Sequence, residues 1–588
     1  MFSGASGQFA LDVETTRLPE TTKQSRILSQ CENSSEFSSF GGWKGKRVEE
    51  TGFFHVISVN GVWEIVDPDG YIFYSVGINS VVKGGGFTLP DSLWNISANT
   101  MGCWSDETIN TETSHKIPYT PRWNMMMSYK NTSQRTKDLF DMGIIPVFDN
   151  EFPTFCLQLA SIDIAPLKDD PYILGHFSDN ELPIYDNTSY GKLLDRFLGI
   201  SDKMDPNYLA AHNWMKARSG VGYVITDQDR EEFHGYVAGT YYKIVNTAIK
   251  HYDPNHLYLG SRLHGAAKSK PSIFRAAGEY VDIISINVYS VWTPDESDMD
   301  MWMNESGRPF LVTEFYAKAV DSGLPNTSGA GWLVNTQEDR AEFFENFTLG
   351  LLTHPGSVGF HYFKYIDKDT YNTGLVSAAF DWYLPMKNSF HKMGKDIYNL
   401  RFFMLNGYVG EKPASIYSSE SYKGKARLLP AGEYTKEELL SLGMDGNSIA
   451  SLRMRPGAKV ILYSADNFMG DSLVISENCM DLASLGFISK TSSLKVILHP
   501  TAIEDKEYKK LKVEIFPVPV LDIMHISIEK FPEIVEYTIY SVSGSSVLRG
   551  KLFSGHSSID LSTLASGFYF IRFNSVHLKE TLLFVKEV

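Results

Sequence analysis

From about residue 71 to about residue 405, apolar strand-like runs alternate with amphipathic helical stretches, and this alternation restricts the chain more than any other feature. Parallel strands cannot be joined by tight turns, so such a rhythm predicts a parallel sheet with crossover helices. The first strand is read from Tyr71 to Ile78, ending at Gly77-Ile78-Asn79, and the second ends at Met101-Gly102-Cys103-Trp104-Ser105-Asp106. The third falls either at Ile117 to Trp123 or at Ile144 to Phe148, and the fourth ends at Glu181. The remaining four are Leu257 to His264, Ile283 to Tyr289, Phe310 to Phe315 and Val358 to Tyr365, with the clearest helices at about 229–251 and 337–353. The expected fold is α/β, a (β/α)8 TIM barrel over residues 41–405 followed by two small all-β domains, a double Greek key and a β-sandwich.

The flanks fit a multidomain chain of 588 residues. Residues 1–40 are rich in Ser, Thr, Glu and Gln and read as a flexible arm. Phe53 to Ile57 and Val62 to Val66 flank Asn60-Gly61, the dipeptide that supplies the positive φ angles of a type I′ hairpin turn. Past residue 407 the chain turns to short strands and turns, with linkers expected at 407–413 and 500–510. A formal charge of −16 argues against nucleic acid as partner, since phosphate binding needs a basic surface. No apolar run is long enough to span a membrane. Cys31, Cys103, Cys156 and Cys479 are too scattered for a disulfide framework or a zinc knuckle, so neither metal nor other cofactor is expected. The opening Met1-Phe2-Ser3-Gly4-Ala5 lacks the charged start and apolar centre of a signal peptide, and none is expected within this chain.

Two of the strands end in glutamate: Gly175 to Glu181 and Phe310 to Glu314. Their separation along the chain suits the fourth and seventh strands of such a barrel, whose C-terminal strand ends carry the chemistry. Retaining glycoside hydrolysis needs such a pair, roughly 5 to 5.5 Å apart, one protonating the leaving oxygen and the other attacking the anomeric carbon. Asn180 beside Glu181 suits a sugar 2-hydroxyl, although Asn-Glu is also an ordinary helix-capping pair. Glu314 must stay ionised, and Tyr289 at the end of the preceding strand is the natural hydrogen-bond donor to it, or a core contact. Arg262, His264, Lys318 and Lys364 are candidate anion contacts, each with an ordinary salt-bridge or surface reading.

The stretch Asp169 to Pro183, together with Val147-Phe148-Asp149 and Gly102 to Asp106, resembles the acid/base region of the β-agarases of glycoside hydrolase family fifty. Thr313 to Lys318, Asp321-Ser322-Gly323, Gly329 to Trp332 and Thr336 to Arg340 are similar to that family's nucleophile strand and following loop. His361 to Tyr365, with Asn372 and Gly374, resembles its closing strand, with Phe363 where related barrels place a Trp. The resemblance implies acid/base Glu181, nucleophile Glu314 and sugar-binding Asn180; Tyr289, Trp104, Asn79, His361 and Lys364 are the further candidate substrate contacts. The implied substrate is a galactan, agarose or porphyran; another β-linked polysaccharide, or a glycan-binding protein on a decayed barrel, are the alternatives.

Residues 414–497 resemble a βγ-crystallin domain, with aromatic corners from Tyr417 to Tyr422-Lys423-Gly424 and from Tyr463 to Phe468-Met469-Gly470, and serine turns at Asn447 to Leu452 and Lys490 to Leu494. Gly446-Asn447 and Ile488-Ser489 stand where calcium-binding members carry hard oxygen ligands, so a structural or carbohydrate-adjacent role is expected rather than calcium binding. Residues 511–588 look like the C-terminal sorting domain of type IX secretion substrates in Bacteroidetes, on Val513 to Val520, Tyr537 to Gly544 and Ile559 to Phe570; a plain immunoglobulin-like spacer is the alternative. The resemblance implies a secreted or surface-attached protein that meets the secretion machinery.

Overall fold

The computed structural model describes residues 37–85, 89–113, 115–368, 370–408, 412–498, 513–528, 535–541, 546–552, 555–574 and 579–587. The chain divides into two compact units, one through Ile497 and one from Leu498. The linker expected at 500–510, most of the N-terminal arm and the centre of the 407–413 linker lie outside the described residues. Phe37 and Phe40 do not belong to an arm: Phe37 bridges Trp43, and Phe40 is buried against Phe54 and Tyr172.

The first unit opens with an antiparallel sheet ordered Trp43–Arg47, Tyr71–Phe73, Val62–Val66, His55–Val59. Val59 pairs with Val62 across Asn60 and Gly61, whose φ angles of 52° and 80° are those the dipeptide predicts. The run from Tyr71 to Ile78 is not one strand, which corrects the sequence reading. It changes partners at Tyr74, whose backbone N–H is taken by the Tyr398 hydroxyl, so that Tyr71–Phe73 pairs antiparallel and Ser75–Ile78 parallel.

From Ser75–Ile78 the parallel pairings can be followed segment by segment. This strand pairs with Thr100–Met101, and Met101 bridges Tyr119. Tyr119 and Arg122 bridge Ile173 and Phe177, so Ile117 to Trp123 holds the third position, while Ile144 to Phe148 is turn and coil. Gly175–Phe177 pairs with Leu257–Gly260, and Leu263 bridges Ile286 of Ile284–Asn287. That strand pairs with Phe310–Glu314, which pairs with Ser357–Tyr362, which returns to Ser75–Ile78. The helices Asp227–Tyr252 and Gln337–Leu352 start at capping boxes, Thr226 with Asp229 and Thr336 with Asp339, in which each side chain satisfies a backbone N–H of the other.

Strand alternation sorts the core. Phe177, Leu259, Leu311 and Val358 form one buried cluster with Phe73 of the N-terminal sheet and Phe54 just before its His55–Val59 strand, whereas Phe310, Val312 and Phe360 join the larger cluster with the helices. An apolar floor therefore underlies the strand ends where the polar residues gather.

The helix Ile397–Asn406 stops at Gly407, left-handed with φ 79°, and strands of a duplicated β-domain follow. Its two sheets are ordered Ala426–Leu429, Ala414–Tyr417, Ser451–Met454 and Gly432–Tyr434, Ser493–Leu498, Ala458–Ala465, Met469–Ile475. The duplication is visible atom by atom. Ser451 Oγ accepts from the Tyr422 N–H and donates to the Ser419 carbonyl, and Ser493 Oγ does the same with Phe468 and Ala465. The Tyr417–Tyr422 and Tyr463–Phe468 ring pairs sit at 5.7 and 5.8 Å, with Tyr422 and Phe468 both left-handed.

The second unit holds a three-stranded sheet, Val513–Phe516, Ile523–Ile528, Gly555–Asp560, and a four-stranded one, Ser546–Leu552, Val535–Ser541, Gly567–Asn574, Lys579–Lys586. Met524, Ile526, Ile539, Ile571, Phe573 and Phe584 from both sheets form its buried core.

Candidate active site

Glu314 is the last residue of Phe310–Glu314, and its side chain is only 5% exposed. A carboxylate this deep needs partners, because an unpaired buried charge costs several kcal/mol. Arg262 Nη2 lies 2.7 Å from Glu314 Oε1, and the Tyr289 hydroxyl donates to Oε2. Burial pushes the Glu314 carboxyl up from its ordinary value, while Arg262 and Tyr289 pull it back toward the ionised form. Tyr289 is driven well above the ordinary phenol value by burial and by the Glu314 charge, so it stays a protonated donor.

Glu181 is arranged differently. It follows Gly175–Phe177 by four residues, its side chain is 32% exposed and its backbone is left-handed with φ 54°. For a residue with a Cβ that conformation costs free energy and holds only where the surroundings impose it. Here the Glu181 N–H is bonded by the Ser261 and Arg262 carbonyls, and Asp179, just before, is buried and accepts from the Met126 and Met127 N–H groups and from the Tyr241 hydroxyl. Burial raises Asp179 to about 6 despite those donors. The Glu181 side chain accepts from Asn287 Nδ2 at 2.8 Å and faces His264 Nδ1 at 3.7 Å.

Arg262 and Asn287 join the two carboxylates, and neither belonged to the expected sugar-binding set. Asn287 pairs in register with Glu314, donates to Glu181 and accepts from Thr313 Oγ1 at 2.8 Å. Its signal was faint: one Asn ending the apolar run Ile283 to Ile286. Arg262 is fully buried, with Nη1 donating to Asn180 Oδ1 at 3.0 Å and Nη2 to the Thr313 carbonyl at 2.9 Å.

Trp104, 36% exposed, lies over the Arg262 guanidinium at 4.3 Å and the Arg122 guanidinium at 5.1 Å, with Phe363 at its edge. Phe363 in turn touches Tyr316, and Tyr316 touches Tyr289. Trp104, Phe363, Tyr316 and Tyr289 thus form a continuous band of rings beside Glu314.

Asn79 and His361 stand apart from the rest of the expected sugar-binding set, because both are fully buried. Asn79 Nδ2 donates to the Thr313 carbonyl at 2.8 Å, and His361 Nε2 meets Ser75 Oγ at 2.9 Å. Glycines make room for them: a Cβ on Gly77 would lie 2.2 Å from the His361 ring and one on Gly102 2.5 Å from Asn79 Oδ1. Burial lowers His361 to about 3. Asn79 Oδ1 and His361 Nδ1 are buried without a hydrogen-bond partner among the described residues. Lys364 is also buried, with Nζ over the Phe363 ring at 5.9 Å, and burial lowers it to about 8. Lys318 faces carbonyls rather than an anion subsite, donating to Ser328 at 2.8 Å.

Among the described residues, His176, Asp253 and His256 form a cluster with metal-ligand composition. Its protons argue for a hydrogen-bond network instead. The Trp123 indole N–H donates to His176 Nδ1, so Nε2 carries the proton and donates to Asp253 Oδ2 at 2.8 Å. Asp253 Oδ2 also takes His256 Nδ1 at 2.7 Å, and the two histidines hold the carboxyl far below its ordinary value.

Acidic side chains at the ends of parallel strands, above an apolar floor and beside a band of aromatic rings, make the layout of a glycoside hydrolase. Comparison narrows the class. The structure described as the crystal structure of BpGH50 is 33% identical, with a TM-score of 0.58, and the match covers 65% of this chain and 88% of that one. The chain belongs to glycoside hydrolase family 50. Beta-agarase B of Vibrio sp. (strain JT0107) is 23% identical over 487 residues, 62% of this chain and 50% of that protein. The chain spans about half the length of that curated relative, and a smaller share of Beta-agarase A from the same strain. Development-specific protein S of Myxococcus xanthus is 37% identical over 86 residues, 15% of this chain and 49% of that protein, which accords with a βγ-crystallin-like domain. Residues 514–587 match the secretion system C-terminal sorting domain.

Proposed function

We propose that this chain is a secreted retaining β-glycosidase, built on a (β/α)8 barrel, that cleaves agarose or porphyran. The observation that carries the reading is the pairing of a buried, Arg- and Tyr-held Glu314 with a half-exposed Glu181 whose carboxylate is linked to the Glu314 strand through Asn287. A nucleophile has to be ionised and immobile, and an acid/base has to exchange protons with water between two half-reactions. In the first half-reaction Glu181 gives its proton to the departing glycosidic oxygen while Glu314 Oε1 or Oε2 bonds to the anomeric carbon. In the second, Glu181 takes a proton from water, the water oxygen bonds to the anomeric carbon, and the Glu314 ester breaks with net retention. Tyr289 and Arg262 receive the charge that returns to Glu314.

The β-agarase names of the relatives support a galactan, and the partly exposed Trp104 and Phe363 rings support a sugar ligand, since sugar faces stack on aromatic rings. The sorting domain supports export, as suits a polymer too large to import. The test is reducing-sugar release with product sizing from agarose, porphyran, carrageenan and plant galactan. Activity on agarose or porphyran is expected. Cleavage of plant galactan alone would replace the substrate, and binding without cleavage would replace the enzyme by a glycan-binding protein.

A further inference from the structure

The Arg262 side chain touches both Glu314 and the Asn180 that precedes Glu181, and its geometry says more than that of an ordinary salt bridge. It follows strand Leu257–Gly260, its backbone is left-handed with φ 54°, and its guanidinium is wholly buried. One nitrogen pairs with Glu314 at 2.7 Å and also donates to the Thr313 carbonyl; the other donates to Asn180 Oδ1 at 3.0 Å. Asn287 Nδ2 also approaches Asn180 Oδ1, at 3.3 Å. Two donors on one amide oxygen fix which end of the amide is which, so the Asn180 NH2 is the end left over to meet a ligand. The flat face of the guanidinium is covered by Trp104 at 4.3 Å, which keeps water from competing for its charge.

We propose that Arg262 is a positioning residue for both half-sites, holding Glu314 as a fixed carboxylate and holding the Asn180 amide nitrogen toward substrate. The assignment rests on the glycosidase reading above. A lysine could supply the charge but not the two-ended fork, so the two tasks are separable by substitution. The charged and titratable groups that face this centre include Glu314, Glu181, Tyr289, Cys103, His264, His361 and Arg122, and Arg262 is the strongest influence keeping Glu314 ionised.

The test uses the full chain and two variants, Arg262→Met and Arg262→Lys, each with and without Asn180→Ala. Arg262→Met is expected to lower kcat/KM by roughly 10²- to 10³-fold and to move the acid limb of its pH profile upward, because a buried carboxyl without its cation holds its proton. Arg262→Lys is expected to leave the acid limb in place, while Asn180→Ala, which costs about tenfold in the wild type, costs less than about twofold in the Lys background. A folded Met variant with an unmoved acid limb, or an undiminished Asn180→Ala effect in the Lys background, overturns the assignment. A readout free of turnover separates this from the glycosidase reading itself. Glu314→Gln is expected to raise the melting temperature of Arg262→Met, because a neutral amide needs no cation; additive losses overturn the pairing. Wild type inert on every galactan would remove the glycosidase reading while the melting cycle still decides whether Arg262 holds Glu314.

Discussion

The ends of the strands carrying Glu181 and Glu314 are built alike and furnished differently. Both are short parallel strands packed over the same apolar cluster, through Phe177 in one case and Leu311 in the other. Glu314 belongs to its strand, is 5% exposed and meets a guanidinium and a phenol. Glu181 lies past its strand on a left-handed backbone, is 32% exposed and meets an amide and an imidazole. The difference is one of surroundings, a buried carboxylate held by a cation against a more exposed one held by an amide, and it is what the proposed nucleophile and acid/base roles rest on.

The largest expected effect comes from erasing that difference at its deep end. Glu314→Gln should leave no measurable turnover on any substrate, with the fold retained, as read by reducing-sugar release beside a melting curve. At the shallow end, Glu181→Gln should lower polysaccharide cleavage by roughly 10²- to 10⁴-fold, the usual worth of general acid–base catalysis. It should lower glycosylation by an aryl glycoside far less, because a good leaving group needs no proton. Equal losses on polymer and aryl glycoside would erase the contrast between the two stations.

How much of this was legible beforehand follows from the range of each signal. The helices at Thr226 and Thr336 and the turn at Asn60-Gly61 declare themselves in a few consecutive residues, and the structure shows them where the sequence reading set them. The Tyr71 to Ile78 run was misread because its division depends on Tyr398, far along the chain. Arg262 reads from the sequence only as a candidate anion contact, and Asn287 not as a site residue, for the same reason: their bonds to Asn180, Glu181 and Thr313 span 26 to 107 positions. Asn79 and His361 carry polar groups at strand ends, which the sequence can suggest, but whether such a residue faces upward or inward rests on Gly77 and Gly102 leaving space below.

A smaller effect sharpens the deep end alone. Tyr289→Phe removes a hydrogen bond to a charged group, worth about 1.5 to 3 kcal/mol, and should lower kcat by roughly 10- to 150-fold with little change in KM. A loss confined to KM would make Tyr289 a sugar contact rather than a partner of Glu314.

The smallest concerns His361, fully buried in its strand. Burial lowers His361 to about 3, so it stays neutral in the fold at pH values where the unfolded chain, at about 6.5, protonates it. The unfolded state then binds one more proton below pH 6.5, and stability should fall as the pH drops from there toward 3, by up to about 1.4 kcal/mol per unit. His361→Gln should flatten that slope by one proton's share in denaturant titrations at pH 7 and pH 5. An unchanged slope would show that the ring titrates alike folded and unfolded.

The most direct test of the division of labour is to trap the covalent intermediate with a 2-deoxy-2-fluoro galactoside carrying a good leaving group, then digest the protein and map the label by mass spectrometry. A fluorosugar ester is expected on Glu314, in the peptide spanning Phe310 to Phe315, and should be lost on Glu314→Gln. A label on Glu181, or turnover with inverted product and no label, would contradict it.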